Sequence, residues 1–430
     1  MLKRILIRAG FNPTKEYRPY HFFNNSLVGD NVGNLLFAYG AMNVLWTEET
    51  TIDFIYDKAY YSEQEIDSIN SNFDVFVMPM ADAFRSTYVK QLLSYINLIQ
   101  NLKIPVVVLG IGFRTNYEPQ FDKDQELNKV VKKFVETVLD HSNKLGLRGE
   151  ITGSYLKKLG FKEDRDFTPI GCPSLYTYGN NIQMREISLA DIYKGKLLFN
   201  SNTWAQHHFP EYISYINRFI LNLVAEIPNH FLIQQKIQEL KCIYWGNYYS
   251  SKVQIESIQS EEVFRKMQQE DRVKCFINVP SWIQFCRDAN LFVGNRFHGA
   301  VAAILAGTPH IFLPFDGRTR ELSEFHHLSS ISPRDLMIEK PIYDYMINMD
   351  FNSFDRCHEK NFINYLDFLR QNGLRHIFHD KKGVNFGESP MEKQINYSFN
   401  SISCMDSLSL LQKIVRISSS VPYFLFKTRP

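Results

Sequence analysis

The stretch from Asp288 to Glu324 holds the side chains best suited to chemistry. Leu291-Phe292-Val293-Gly294 reads as a buried strand, and Asn295-Arg296-Phe297-His298-Gly299 leads from it into the helical run from Gly299 to Ala306. A guanidinium binds carboxylates and phosphates bidentately, and an imidazole titrates near neutrality. Arg296 and His298 stand two apart in what reads as an extended segment, so both side chains are expected on one side of the backbone. They sit at the carboxyl end of a strand and before a helix N-terminus, where free N–H groups favour an anion. Gly299, Ala300, Ala302 and Ala303 shave the helix so that the backbone can come close to a ligand or to the sheet. Gly307-Thr308-Pro309 turns the chain into a second strand, which ends in Asp316-Gly317-Arg318-Thr319-Arg320-Glu321. Ligands of open parallel sheets bind along the carboxyl edge, so Arg296, His298, Asp316, Arg318 and Glu321 should converge on one crevice.

Those groups need a sheet to hold them, and the pattern supplies two. In the first half, short apolar runs at Lys3–Ile7, Ile52–Ile55, Val75–Met78, Pro105–Gly110, Leu145–Arg148 and Phe167–Ile170 alternate with amphipathic stretches. Helices are expected at Asn34–Leu45, Val89–Asn101, Leu127–Asp140 and Thr152–Leu159, the last stopped by Gly160. The pattern restarts near Tyr193–Lys196. Strands follow at Leu197–Asn200, Phe231–Gln234, Leu291–Gly294 and Ile311–Pro314, between helices at Tyr212–Glu226, Glu261–Gln269, Val279–Asp288 and Gly299–Ala306. This predicts an α/β protein of two Rossmann-like lobes, GT-B-like, with a cleft between them. The divisions fall at residues 1–190 and 191–380, followed by a tail over 381–430. In that tail Leu410, Leu411, Ile414, Val415 and Ile417 keep helical spacing beside Lys413 and Arg416, which suits a helix docked on the protein or one lying on a membrane surface.

At 430 residues the chain is too long for a single ordinary core, and 44% hydrophobic with 22% charged residues excludes wholesale disorder. Lys+Arg at 48 against Asp+Glu at 46 gives no overall field for a polyanion, so nucleic acid is not an expected partner. No apolar run reaches the roughly 20 residues of a spanning helix, and the charged start Lys3-Arg4 does not read as a signal peptide. Six cysteines without a Cys-x-x-Cys pair point to a reducing cytoplasm and buried thiols. No metal site is expected, because the pairs His207-His208 and His326-His327 lack helical ligand spacing. The aromatic cluster Tyr244, Trp245, Tyr248 and Tyr249 suits either a sugar stack or a core.

Taken together, Gly-Asn-Arg-Phe-His-Gly at 294–299, Ala-Gly-Thr-Pro at 306–309 and Phe-Asp-Gly-Arg-Thr-Arg-Glu-Leu at 315–322 resemble the C-terminal signature of the polysaccharide pyruvyl transferases. Further segments follow in the family's order. They are Gly29-Asp30-Asn31-Val32-Gly33-Asn34, Val106–Gly112, Gly146-Leu147-Arg148-Gly149-Glu150 with Ser154, and Gly171-Cys172-Pro173-Ser174. One segment departs from the pattern: the family's Gly-rich turn after a strand like Val75–Met78 is replaced by Pro79-Met80-Ala81-Asp82-Ala83.

The resemblance implies transfer of a pyruvyl group from phosphoenolpyruvate to sugar hydroxyls, giving a ketal on a cell-surface polysaccharide, exopolysaccharide or capsule precursor. The acceptor would be a sugar or a lipid-linked or nucleotide-linked glycan. The second lobe would be the donor and catalytic side and the first the acceptor side. His298 is implied as general acid or base, with Arg296, Arg148 and Arg318 binding the donor's phosphate and carboxylate. Asp316 and Glu321 either touch substrate or orient Arg318 and Arg320. Asp30 and Asn31 either bind sugar hydroxyls or cap the helix near Asn34. Arg148 has an alternative as a partner of Glu150 or Asp166. No cofactor is implied beyond the donor, and the site of action would be the cytoplasm, with contact to the inner membrane face through the tail. The alternative function is a GT-B glycosyltransferase using a nucleotide sugar, although Asp316–Glu321 fits a diphosphate loop poorly. A non-catalytic glycan-binding scaffold, for which Arg296 and His298 would be dispensable, is the third reading.

Overall fold

The computed structural model describes residues 3–24, 27–121, 124–201, 210–246 and 261–419. Tyr248, Tyr249, His207 and His208 lie outside them.

The first lobe is built on four parallel strands, β1 (Lys3–Arg8), β3 (Thr50–Ile55), β4 (Val75–Pro79) and β5 (Val106–Leu109), in the order β3-β1-β4-β5. A short β2 (Leu27–Asp30) precedes β3 outside this sheet. Every residue of Val75–Pro79 and Val106–Leu109 is buried, as expected of strands covered on both faces by helices. Beyond β5, a bridge between Ile111 and Leu147 leads to a parallel pair, β6 (Leu145–Leu147) and β7 (Phe167–Pro169).

The second lobe repeats the theme. Its five parallel strands are β8 (Leu197–Asn200), β9 (His230–Ile233), β10 (Val273–Lys274), β11 (Leu291–Gly294) and β12 (His310–Phe312), ordered β10-β9-β8-β11-β12. In each sheet the order reverses direction once, between β1 and β4 in the first lobe and between β8 and β11 in the second. Those are the points where a crevice opens at the carboxyl edge. The two-lobed, GT-B-like α/β arrangement read from the sequence is the one observed.

The helix Gly317–Phe325 joins the lobes. Gly317 N donates to Thr115 O at 3.0 Å, Arg320 Nη1 pairs with Glu118 Oε2 at 3.1 Å, and Cys172 N donates to His326 Nε2 at 2.9 Å. The chain then crosses back. The helix Ser353–Gln371 lies against the first lobe, with Tyr365 stacked on Tyr176 at 4.6 Å and Asn364 Nδ2 bonded to Pro169 O at 2.8 Å.

Helix Asn34–Leu45 keeps its expected bounds, and Gly160 takes a φ of +99° after its helix, as a C-terminal stop requires. The segment Asp316–Glu321, expected as a loop, is the cap and first turn of a helix. In the tail the helix Leu410–Ser418 forms with none of its residues buried, so it is not docked by an apolar face. Tyr244 and Trp245 are core residues.

Candidate active site

Strand β11 delivers the chain to the interlobe edge at Gly294. Arg296 is extended (φ −96°, ψ 109°) and acts as the residue before the helix, which starts at Phe297. His298 therefore lies in the first helical turn, and the expectation that Arg296 and His298 leave one side of an extended segment is corrected. Arg296 turns inward. It is buried, its Nε donates to Ser201 O at 2.5 Å, and its Nη2 faces Glu239 Oε1 at 3.4 Å. Burial draws its pKa below the usual arginine range, opposed by Glu239 and Asp30.

His298 turns toward the first lobe. Its ring lies against Phe37 and Phe297, and its Nε2 is 3.9 Å from Cys172 Sγ. A Cβ on Gly33 would come within 3.0 Å of both His298 Nδ1 and Asn31 Oδ1, so a side chain at 33 would crowd the imidazole. Burial, then the charges of Arg148 and Arg318, push the His298 pKa well below its ordinary value. The imidazole is neutral at neutral pH and available to accept a proton.

Arg148 follows β6 and is 2% exposed, with Nε donating to Gly110 O at 2.9 Å. Its Nη2 is buried without a hydrogen-bond partner among the described residues, and the same holds for Nε of Arg318. Arg148 pairs with neither Glu150 nor Asp166; Asp166 is held by Arg165. Arg318 lies between Asp316 Oδ2 at 3.4 Å and Asp82 Oδ2 at 3.5 Å, which together raise its pKa despite burial.

Asp82 was not singled out from the sequence, yet it organises this cluster. Arg114 Nε donates to it at 2.7 Å, and Arg85 and Arg318 approach to 3.5 Å. Against the effect of burial, Arg318, Arg114, Arg85 and Arg148 hold its carboxyl well below the usual range. Four guanidiniums thus face two carboxylates, Asp82 and Asp316, and the local field is positive. The sequence signal for Asp82 is the single acid of Pro79-Met80-Ala81-Asp82-Ala83, three residues past the end of β4.

The remaining predicted residues separate. Asp316 is 1% exposed and caps the helix Gly317–Phe325, accepting from Thr319 N at 2.8 Å and Thr319 Oγ1 at 2.6 Å. Glu321 accepts from Thr152 N at 2.5 Å and Thr152 Oγ1 at 2.9 Å across the lobe boundary, and burial lifts its pKa to about 7. Both carboxylates are therefore occupied by protein groups, as orienting residues would be. Asn31 Oδ1 accepts from Gly33 N at 2.8 Å, and neither Asn31 nor Asp30 caps the helix Asn34–Leu45. Asp30 is exposed and lines a cavity of about 500 Å³ with Arg8, Asp57, Asp82, Arg85 and Tyr88. That cavity opens where the first sheet changes direction.

On the second-lobe side, Asn200 Nδ2, Gln235 Nε2 and both side-chain atoms of Asn295 are buried and unpartnered among the described residues. The Asn200 and Gln235 amides crowd Gly299, at 2.0 and 2.9 Å from where its Cβ would stand. An unsatisfied buried donor costs about 1–3 kcal/mol, so these amides are groups that a polar ligand beside His298 would satisfy.

A family model of the polysaccharide pyruvyl transferases matches residues 31–317, more than half of the chain. The protein belongs to the polysaccharide pyruvyl transferase family. The matched span includes Asn31, Asp82, Arg148, Arg296, His298 and Asp316, and ends at the turn that carries Arg318. No curated protein matches significantly. Among solved structures, the chain resembles the UDP-GlcNAc 2-epimerase of Methanocaldococcus jannaschii, at 13% identity and a TM-score of 0.46, over 86% of this chain and 99% of that one. A putative UDP-N-acetylglucosamine 2-epimerase from Listeria monocytogenes is 11% identical with a TM-score of 0.42, over 88% and 100% of the two chains. Among the described residues of this pyruvyl transferase family member, no three His, Cys, Asp or Glu side chains group as metal ligands.

Proposed function

We propose that this chain transfers the pyruvyl group of phosphoenolpyruvate to two hydroxyls of a sugar, forming a ketal and releasing phosphate. The observation that carries this reading is the pair of guanidiniums of buried Arg148 and half-buried Arg318, each with a buried, unpartnered nitrogen beside a neutral His298. A small dianionic or trianionic donor satisfies both, and bidentate pairing orients it. The sugar is assigned to the cavity at the end of β1 and β4, where Asp30 offers an acceptor and Tyr88 an aromatic wall.

In this mechanism a proton adds to the methylene carbon, and the adjacent carbon becomes oxocarbenium-like. The first sugar hydroxyl attacks that carbon while neutral His298 accepts its proton. Phosphate leaves with the C–O electron pair, stabilised by Arg148 and Arg318, and the second hydroxyl closes the ketal. Two hydroxyl protons are lost: one is the equivalent of the methylene proton, and the other leaves with phosphate. Asp316 and Asp82 hold Arg318 in place. Arg296, engaged with Ser201 and Glu239, shapes the helix start and contributes positive field. Phosphoenolpyruvate is a cytoplasmic metabolite, so the reaction is assigned to the cytoplasm, on a polysaccharide precursor.

The test is incubation with phosphoenolpyruvate and nucleotide-linked or lipid-linked sugars, following phosphate release and ketal formation. Turnover with a nucleotide sugar and none with phosphoenolpyruvate would overturn the proposal in favour of glycosyl transfer.

A further inference from the structure

The helix Leu410–Ser418 is inverted relative to an ordinary surface helix. Leu410, Leu411, Ile414, Val415 and Ile417 are 76%, 71%, 54%, 58% and 45% exposed. At 100° per residue these five side chains and Ser418 span an arc of about 160°, and Arg416 projects from the opposite side. Arg416 holds the helix to the body. Its Nη1 donates to Ser403 O at 2.9 Å and Tyr244 O at 3.4 Å, and its guanidinium sits 4.7 Å from the Tyr244 ring centre. Ser409 caps the N-terminus through Gln412, so the helix is closed by its own sequence and does not depend on apolar packing.

A soluble surface rarely carries a contiguous apolar ridge without an occupant. We infer that this ridge docks on an anionic lipid surface, bringing the enzyme to the membrane face. Charge selects that occupant. After Asp406 the chain has no acidic residue, and besides the body-bound Arg416 it has Lys413, Lys427 and Arg429. The sequence that continues past the helix, Val421-Pro422-Tyr423-Phe424-Leu425-Phe426-Lys427-Thr428-Arg429, adds aromatic and basic residues of the interfacial type. One amphipathic segment with one basic cluster supplies the two signals that reversible peripheral binding needs. The inference does not depend on the reaction proposed above.

The test is flotation of the full chain with phosphatidylcholine vesicles, with and without phosphatidylglycerol, alongside the sedimentation state in solution. The expected result is flotation with anionic vesicles and little with neutral ones. Leu411→Glu with Val415→Glu should reduce binding at least about tenfold, with circular dichroism unchanged because both side chains are exposed. Lys413→Glu should reduce it about fivefold or more, and high salt should weaken it. Failure of the native chain to float overturns the inference, as does equal flotation of the double variant. A dimer that the double variant dissociates, with no vesicle binding, would assign the ridge to a second copy and also overturn it.

Discussion

His298 is the residue whose behaviour ties the electrostatics to the chemistry. In the free protein its pKa is depressed by burial, Arg148 and Arg318, so the acid limb of kcat/KM should fall below the ordinary histidine range. A bound phosphoenolpyruvate anion would neutralise those arginines and favour the imidazolium. The acid limb of kcat should therefore lie at higher pH than that of kcat/KM, and coincident limbs would argue against a donor seated beside His298. His298→Asn should lower kcat by about 10²–10⁴-fold with little change in the phosphoenolpyruvate KM. Asp82→Asn loosens Arg318 and Arg114, and a loss of about 1.5–3 kcal/mol, roughly ten- to hundredfold in kcat/KM, is expected from steady-state kinetics. The types of Arg296, His298 and Arg148 were legible because their motifs follow strands, whereas the extended spacing expected of Arg296 and His298 was overturned by the helix that starts at Phe297. Asp82 was not legible, because a single acid in an apolar segment has no pattern until the fold brings three arginines to it.

Among the elements, the helix Gly317–Phe325 ties the two lobes together at the cleft. The sequence marked its residues as a charged loop, since Gly317 and three charged side chains mask the helical period. Asp316 and Thr319 cap it instead, and that cap aims Arg318 at the cleft. From its second turn Glu321 reaches across to Thr152. The Glu321 pKa of about 7 exceeds the 4.5 of an ordinary glutamate, so the folded state holds this proton more tightly than the unfolded chain. That stabilisation is complete below about pH 4.5 and is lost as the pH rises toward 7, amounting to about 3 kcal/mol. Denaturant unfolding across that window should show the decline, and Glu321→Gln should flatten it. Strands were readable from the sequence as apolar runs, usually within a residue or two. The short β2 and β10 and the helix Ser353–Gln371 were missed, because brief or strongly charged segments take their structure from the surfaces they meet.

For the whole molecule, the two sheets turn their carboxyl edges to one crevice, and the charges of a nearly neutral chain gather there. Arg148 comes from the first lobe and Arg318 from the second, so a donor held by both links the lobes. Phosphoenolpyruvate at a hundredfold its Kd should then add about 2.7 kcal/mol to stability, seen as a rise in Tm. Two such lobes were visible in the alternation of strands and helices. Their closure was not, because the contacts of Glu321, Arg320 and His326 join residues more than 150 positions apart. Whether these two guanidiniums hold the donor anion is read by calorimetric titration of phosphoenolpyruvate. The native chain should bind one equivalent saturably. Arg148→Met, which keeps the volume and gives up one bond to Gly110 O, should stay folded and lose that binding. Equal affinity in the two proteins, or none in the native chain, would contradict the account.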